Sequence, residues 1–133
     1  MPGATPLVHP SHGAVAPHVI TLSDVQLRVF QDPARFRFVV AGRRVGKTYE
    51  MLVECVYEAS IGPGRTSWYI APTYRMARDI AWELLLSLIP PEFLARTNET
   101  RLTATLRNRS VIALKGADDP DALRGRGIDF AAL

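Results

Sequence analysis

The chain has 133 residues, 47% of them hydrophobic, a formal net charge of +3 and one cysteine. That is enough apolar chain for one core of ordinary size, and too small a charge to identify a nucleic-acid partner by itself. A lone Cys55 excludes an internal disulfide, and neither a membrane-span-length apolar run nor a signal-peptide core is present, so the reading is of a soluble, intracellular protein.

Residues 1–19 are rich in Pro, Gly, Ala and His, and hold all three histidines, His9, His12 and His18. Their spacing fits no known metal site, so this segment is expected to be a disordered tail. Thr21-Leu22-Ser23-Asp24 then reads as a helix start, capped by Thr21 or Ser23, and the helix is expected to end near Asp32-Pro33. It carries Gln26. In several ATPases a glutamine placed one short helix and one strand ahead of a phosphate loop reads the adenine edge, because its amide donates and accepts at once.

The stretch Phe36 to Thr48 organises the remainder. An apolar run broken only by Arg37 enters a loop, the loop ends in Gly46-Lys47-Thr48, and a helical pattern follows at once. Strand, loop and helix in that order are what a P-loop requires. Loop amides and the positive end of the helix dipole converge on one point and favour an anion there. Gly46 lets the backbone approach a phosphate, Lys47 sets an ammonium against the β/γ-phosphates, and the Thr48 hydroxyl is suited to Mg²⁺. The usual pattern G-x-x-x-x-G-K-[ST] is met imperfectly, with Ala41 at its first position and glycine one residue later at Gly42. Arg43 and Arg44 repel each other and Lys47, which makes sense beside an anion. The expected nucleotide-binding set is Gln26, Gly42, Arg43, Arg44, Val45, Gly46, Lys47 and Thr48.

A helix is expected from Thr48 to Ile61, with Met51, Leu52, Cys55, Val56 and Ala59 on one face. Glu50, Glu54 and Glu58 form an acidic stripe expected to face solvent, and Cys55 is expected buried and inert. Gly62-Pro63-Gly64 stops the helix. Thr66 to Ala71 is a second strand. Thr73 caps the next helix, whose apolar face is Ala77, Ile80, Leu84 and Leu88, with Arg75, Arg78 and Trp82 away from it, and Pro90-Pro91 ends it. Leu102, Ala104 and Leu106 alternate with Thr103 and Thr105, Asn108-Arg109-Ser110 turns, and Val111 to Leu114 returns: a β-hairpin, at a sheet edge or leading into it. Asp118 or Asp119 caps a short helical piece with Pro120 at its first position, so the acidic cluster there has a structural explanation. Arg124 and Arg126 follow between glycines, and Ile128 to Leu133 is an apolar strand that stops without cap or turn, as a fragment would.

Gln26, the Arg43-to-Thr48 loop, the Tyr69-Ile70-Ala71-Pro72-Thr73-Tyr74 strand end, and Leu123-Arg124-Gly125 ahead of an Ile-Asp-Phe strand together resemble the large terminase subunit of tailed bacteriophages. The resemblance covers Leu22 to Leu133 and rests on the order and spacing of these motifs. It implies that Lys47 and Thr48 bind ATP phosphates and Mg²⁺, that Gln26 contacts adenine, and that Arg43 or Arg44 acts on the γ-phosphate in cis. Arg124 resembles the arginine that some terminases lend to the neighbouring subunit's ATP, with Arg126 as its competitor; such a group is worth about 10³–10⁵ in rate in related systems. The fold implied is α/β, a P-loop NTPase of RecA/ASCE-like type, a three-layer sandwich with a mainly parallel sheet, incomplete at its C-terminal side. In the family the last strand continues into an Asp-Glu pair, expected after Leu133; Asp129, at that strand's start, is no substitute. The nuclease domain of the family lies outside this sequence. Implied partners are double-stranded DNA, a portal protein, a small terminase subunit and further copies in a ring, with no membrane. The implied location is the host cytoplasm, transiently docked on a procapsid. Two other readings share the residues: a superfamily 2 helicase or translocase, and a nucleotide-binding fragment that does not hydrolyse.

Overall fold

The computed structural model describes residues 4–9, 18–34, 46–123 and 127–133. It divides into two compact units, Met1–Glu50 and Met51–Leu133.

In the first unit, strands β1 (Ala4–His9) and β2 (His18–Ser23) pair antiparallel, from Ala4 opposite Ser23 to His9 opposite His18. This differs from the expected tail over residues 1–19. The helix-breaking and turn-forming composition that suggests disorder is densest between the two strands, at residues 10–17, whereas the flanks carry Thr5, Leu7, Val8, Val19, Ile20 and Thr21, largely β-branched residues suited to pairing. Helix α1 (Asp24–Gln31) follows β2 directly, and Ser23 is its cap. Asp32 leaves the helix in an extended conformation, as a residue before proline must. The strand expected over Phe36 to Val40 and the loop through Val45 lie outside the described residues.

Helix α2 (Lys47–Ser60) begins one residue earlier than expected. Of its expected apolar face Leu52, Cys55, Val56 and Ala59 are buried and Met51 is half-buried, and Val53 joins the buried set. The acidic stripe is a correction: Glu50 and Glu54 are buried, at 4% and 7% exposure, and Glu58 is half-buried in an ion pair with Arg65 at 3.1 Å. Periodicity ranks the faces of a helix by polarity; it does not report that the less apolar face is covered too. The helix end is closed from a distance, where Asn108 Nδ2 donates to the carbonyls of Ala59 (3.0 Å) and Gly62 (3.1 Å) and so satisfies groups that a helix end leaves open.

The second unit is built on a five-stranded sheet in the order β4-β5-β6-β3-β7. Strand β3 (Thr66–Ala71) is flanked by β6 (Val111–Gly116) and β7 (Phe130–Ala132), both parallel to it. Strands β4 (Leu94–Asn98) and β5 (Thr103–Leu106) extend the sheet antiparallel beyond β6. The fold is thus α/β with a mixed sheet, where the sequence suggests a mainly parallel one. The expected hairpin is β5 and β6, with Arg109 in the left-handed region at its turn (φ 71°). Its second strand lies inside the sheet: Ile112, Ala113 and Leu114 are all buried, the unbroken apolar run of a strand covered on both faces. Strand β4 is mostly exposed, so it carries no inward-outward alternation to read.

The segment after β3 is a correction of register. Thr73 caps it as expected, accepting from the Met76 N–H at 3.1 Å. The helix starts as α3 (Tyr74–Met76), widens to a π turn over Ala77–Ala81, and resumes as α4 (Trp82–Leu88). A π turn inserts one residue, so the buried positions beyond it fall one place later than α periodicity gives. Ala77 and Leu88 are buried as expected, Ala81, Trp82, Leu85 and Ile89 are buried besides, Leu84 is half-buried and Ile80 is 57% exposed. Trp82 is therefore a core residue and not part of an exposed basic face. No helix among the described residues is long and apolar enough to cross a membrane.

Candidate functional site

The described part of the expected phosphate site lies wholly in the first unit, where the N-terminal ends of α1 and α2 meet through one side chain. Helix α1 opens with a capping box: Ser23 Oγ accepts from the Gln26 N–H at 3.3 Å, and Gln26 Oε1 accepts from the Ser23 N–H at 2.9 Å. The reciprocal pair satisfies two amides that the helix start leaves open. Gln26 Nε2 reaches further, donating to the Gly46 carbonyl at 3.0 Å across twenty residues of sequence. The same carbonyl accepts the first helical bond of α2, from the Glu50 N–H at 3.0 Å. Both lone pairs of that oxygen are thus engaged.

Gly46 itself sits at φ +74°, in the left-handed region, and a Cβ there would overlap Gln26 Nε2. Backbone handedness therefore favours glycine here, and a larger residue would also displace the end of the Gln26 side chain. Lys47 and Thr48 occupy the first turn of α2, Lys47 exposed and Thr48 half-buried. A helix of this length presents a positive end, and Lys47 adds its own charge there. These are the described groups suited to an anion and to a hard cation bound by oxygen. In the same turn, burial pushes the Tyr49 hydroxyl above the ordinary phenol value, opposed by the backbone N–H of Thr21.

Gln26, Gly46, Lys47 and Thr48 are therefore brought together. Gly42, Arg43, Arg44 and Val45, and also Arg124 and Arg126, lie outside the described residues. The Ser23-Asp24-Val25-Gln26 spacing is a capping-box signature, and that signal was available for placing Gln26 at the start of α1.

In the second unit the strands' C-terminal ends carry their own polar ties. Ala71 lies opposite Gly116, and Tyr74 N–H donates to Asp118 Oδ1 at 3.1 Å. Asp118 thus serves the helix that follows β3, while the short helical turn at Pro120–Leu123 starts with Pro120 as expected. A Cβ on Gly116 would overlap the Tyr74 nitrogen and Asp118 Oδ1, so the two loops close on each other only with glycine there. Asp129 accepts from Thr66 N–H at 2.8 Å and donates its own N–H to Thr66 O at 2.9 Å. It fastens the start of β7 to the start of β3, the end of the sheet opposite to Ala71. Arg75 and Arg78 are exposed and both pair with Asp79, at 3.6 and 3.1 Å. Cys55 is buried, its thiol directed to the Trp68 carbonyl at 3.6 Å, as its apolar position suggests.

Two curated relatives are similar to the chain, the terminase large subunits of Thermus phage G20c and Thermus virus P23-45. Each is 34% identical over 128 aligned residues, covering 82% of this chain and 26% of the relative. No family model matches, and no solved structure gives a significant match. The chain is a homologue of the large subunit of phage terminases, matched over most of its own length and spanning about a quarter of theirs.

Proposed function

We propose that the chain is the ATP-binding part of a DNA-packaging terminase, whose whole protein couples ATP hydrolysis to moving double-stranded DNA into a procapsid. The observation that carries this is the left-handed Gly46 at the mouth of α2, held by Gln26 and followed directly by Lys47 and Thr48. A left-handed glycine, at the positive end of a helix and beside an ammonium and a hydroxyl, is what a P-loop NTPase needs. Lys47 would hold the β/γ-phosphates, Thr48 would hold Mg²⁺, and Arg43 or Arg44 would meet the γ-phosphate in cis. Bound Mg²⁺ supplies charge neutralisation on the phosphates. Arg124, or its neighbour Arg126, would act on the ATP of an adjacent subunit in a ring. The parallel register of β7 on β3, ending with Ala132 opposite Tyr69, would carry an Asp-Glu pair following Leu133 to the level of Ala71. Portal protein and small terminase subunit are the proposed partners, and the host cytoplasm the proposed place of work, with transient docking on the procapsid.

The test is DNA-stimulated ATP hydrolysis by a terminase large subunit carrying this sequence. Lys47→Ala is expected to lower it by at least a hundredfold with DNA binding retained. Hydrolysis untouched by that substitution would remove the assignment.

A further inference from the structure

Gln26 is the residue whose bonds go beyond its proposed use. A glutamine that only reads a base needs no partner in the protein, yet this one bridges two elements. Its Oε1 accepts from Ser23 N–H within the capping box, and its Nε2 donates to the Gly46 carbonyl. The carbonyl it holds belongs to the glycine that immediately precedes α2, at a φ of +74°. The fit is close enough that a Cβ on Gly46 would collide with this same nitrogen.

We infer that Gln26 is a positioning residue for the phosphate site: it latches the Gly46 peptide in the conformation that presents the start of α2 to a triphosphate, whatever base is attached. The capping box fixes the side chain at Oε1, so that Nε2 is pre-oriented and little entropy is lost in making the latch. A second bond to Gly46 O leaves the Glu50 N–H a fixed acceptor, so the first turn of α2 forms with Lys47 and Thr48 in place. The inference rests in part on the reading of this site as one for nucleotides, and its test separates the two.

The full chain is compared with Gln26→Met, which is neutral and of similar length and loses the latch, and with Ser23→Ala, which weakens the cap and keeps the Gln26 amide. Two readouts are taken: hydrogen exchange at the Glu50 amide without ligand, and affinity for ATP, GTP and inorganic tripolyphosphate. Gln26→Met is expected to speed exchange at Glu50 and to weaken all three ligands by a common factor of about five, the worth of one neutral hydrogen bond. Ser23→Ala is expected to lower the melting temperature and leave both readouts in place. A loss confined to ATP would overturn the inference and assign Gln26 to the adenine alone, and so would equal effects of the two variants, which would reduce the latch to helix capping. If the wild-type chain binds none of the three ligands, the nucleotide reading falls, and the exchange readout still decides the latch: unchanged protection in Gln26→Met refutes it.

Discussion

At position 46 one methyl group is enough to test the local geometry. Gly46→Ala places a side chain in the left-handed region, at about 1–2 kcal/mol, and into the Gln26 amide besides. The variant is expected to melt lower and to lose affinity for phosphate ligands; a chain unchanged in both would mean that the turn is not held as described. Tyr49 offers a second test, with the sign fixed by its raised hydroxyl. Burial favours the neutral phenol, so its contribution to stability is complete below the unfolded value near 10 and is lost as pH rises through the higher folded value. Melting curves above pH 10 should therefore fall more steeply for the wild type than for Tyr49→Phe; parallel curves would contradict this. The start of α2 at Gly46-Lys47-Thr48 was legible because a helical pattern follows that glycine at once. Glu50 and Glu54 were not, because a carboxylate on a helix reads as solvated until the chain that covers it is placed.

Among the elements, the helical segment after β3 separates what periodicity can tell from what it cannot. Its cap, its length and its proline stop follow from Thr73 and Pro90-Pro91, but the π turn over Ala77–Ala81 leaves no trace in a pattern read at 3.6 residues per turn. The inserted residue exchanges the roles of two large side chains. Trp82→Ala is expected to destabilise by about 3–5 kcal/mol, and Ile80→Ala by less than about 0.5 kcal/mol, in chemical denaturation. The reverse order would restore an unbroken α-helix. The hairpin was legible for a related reason: Leu102, Ala104 and Leu106 are buried and Thr103 and Thr105 only partly so, an alternation that survives in the fold. Its place inside the sheet was not, since strand order depends on partners that lie far off in sequence. Asn108 belongs to this scale as well, because one side chain ties the hairpin turn to the end of α2. Asn108→Ala removes the donor to the Ala59 carbonyl, while the Gly62 carbonyl keeps Ser110 Oγ at 3.0 Å, and is expected to cost about 1–3 kcal/mol.

At the scale of the molecule, the second unit has an α/β architecture with β6, β3 and β7 parallel and an antiparallel extension beyond β6. Kinship to terminase large subunits over about a quarter of their length sets what this stretch can be asked to do. In the proposed reading it binds a nucleotide, and hydrolysis needs acidic residues that follow β7 in the family together with an arginine from a neighbouring subunit. The isolated chain is accordingly expected to turn over little or no ATP, and hydrolysis at the rate of a working motor would refute that division of labour. The most direct test of the central claim is a calorimetric titration of the chain with ATP and Mg²⁺, alongside Lys47→Ala. Saturable binding weakened at least tenfold by the substitution is the predicted result; equal heats from the two proteins, or none from the wild type, would contradict it.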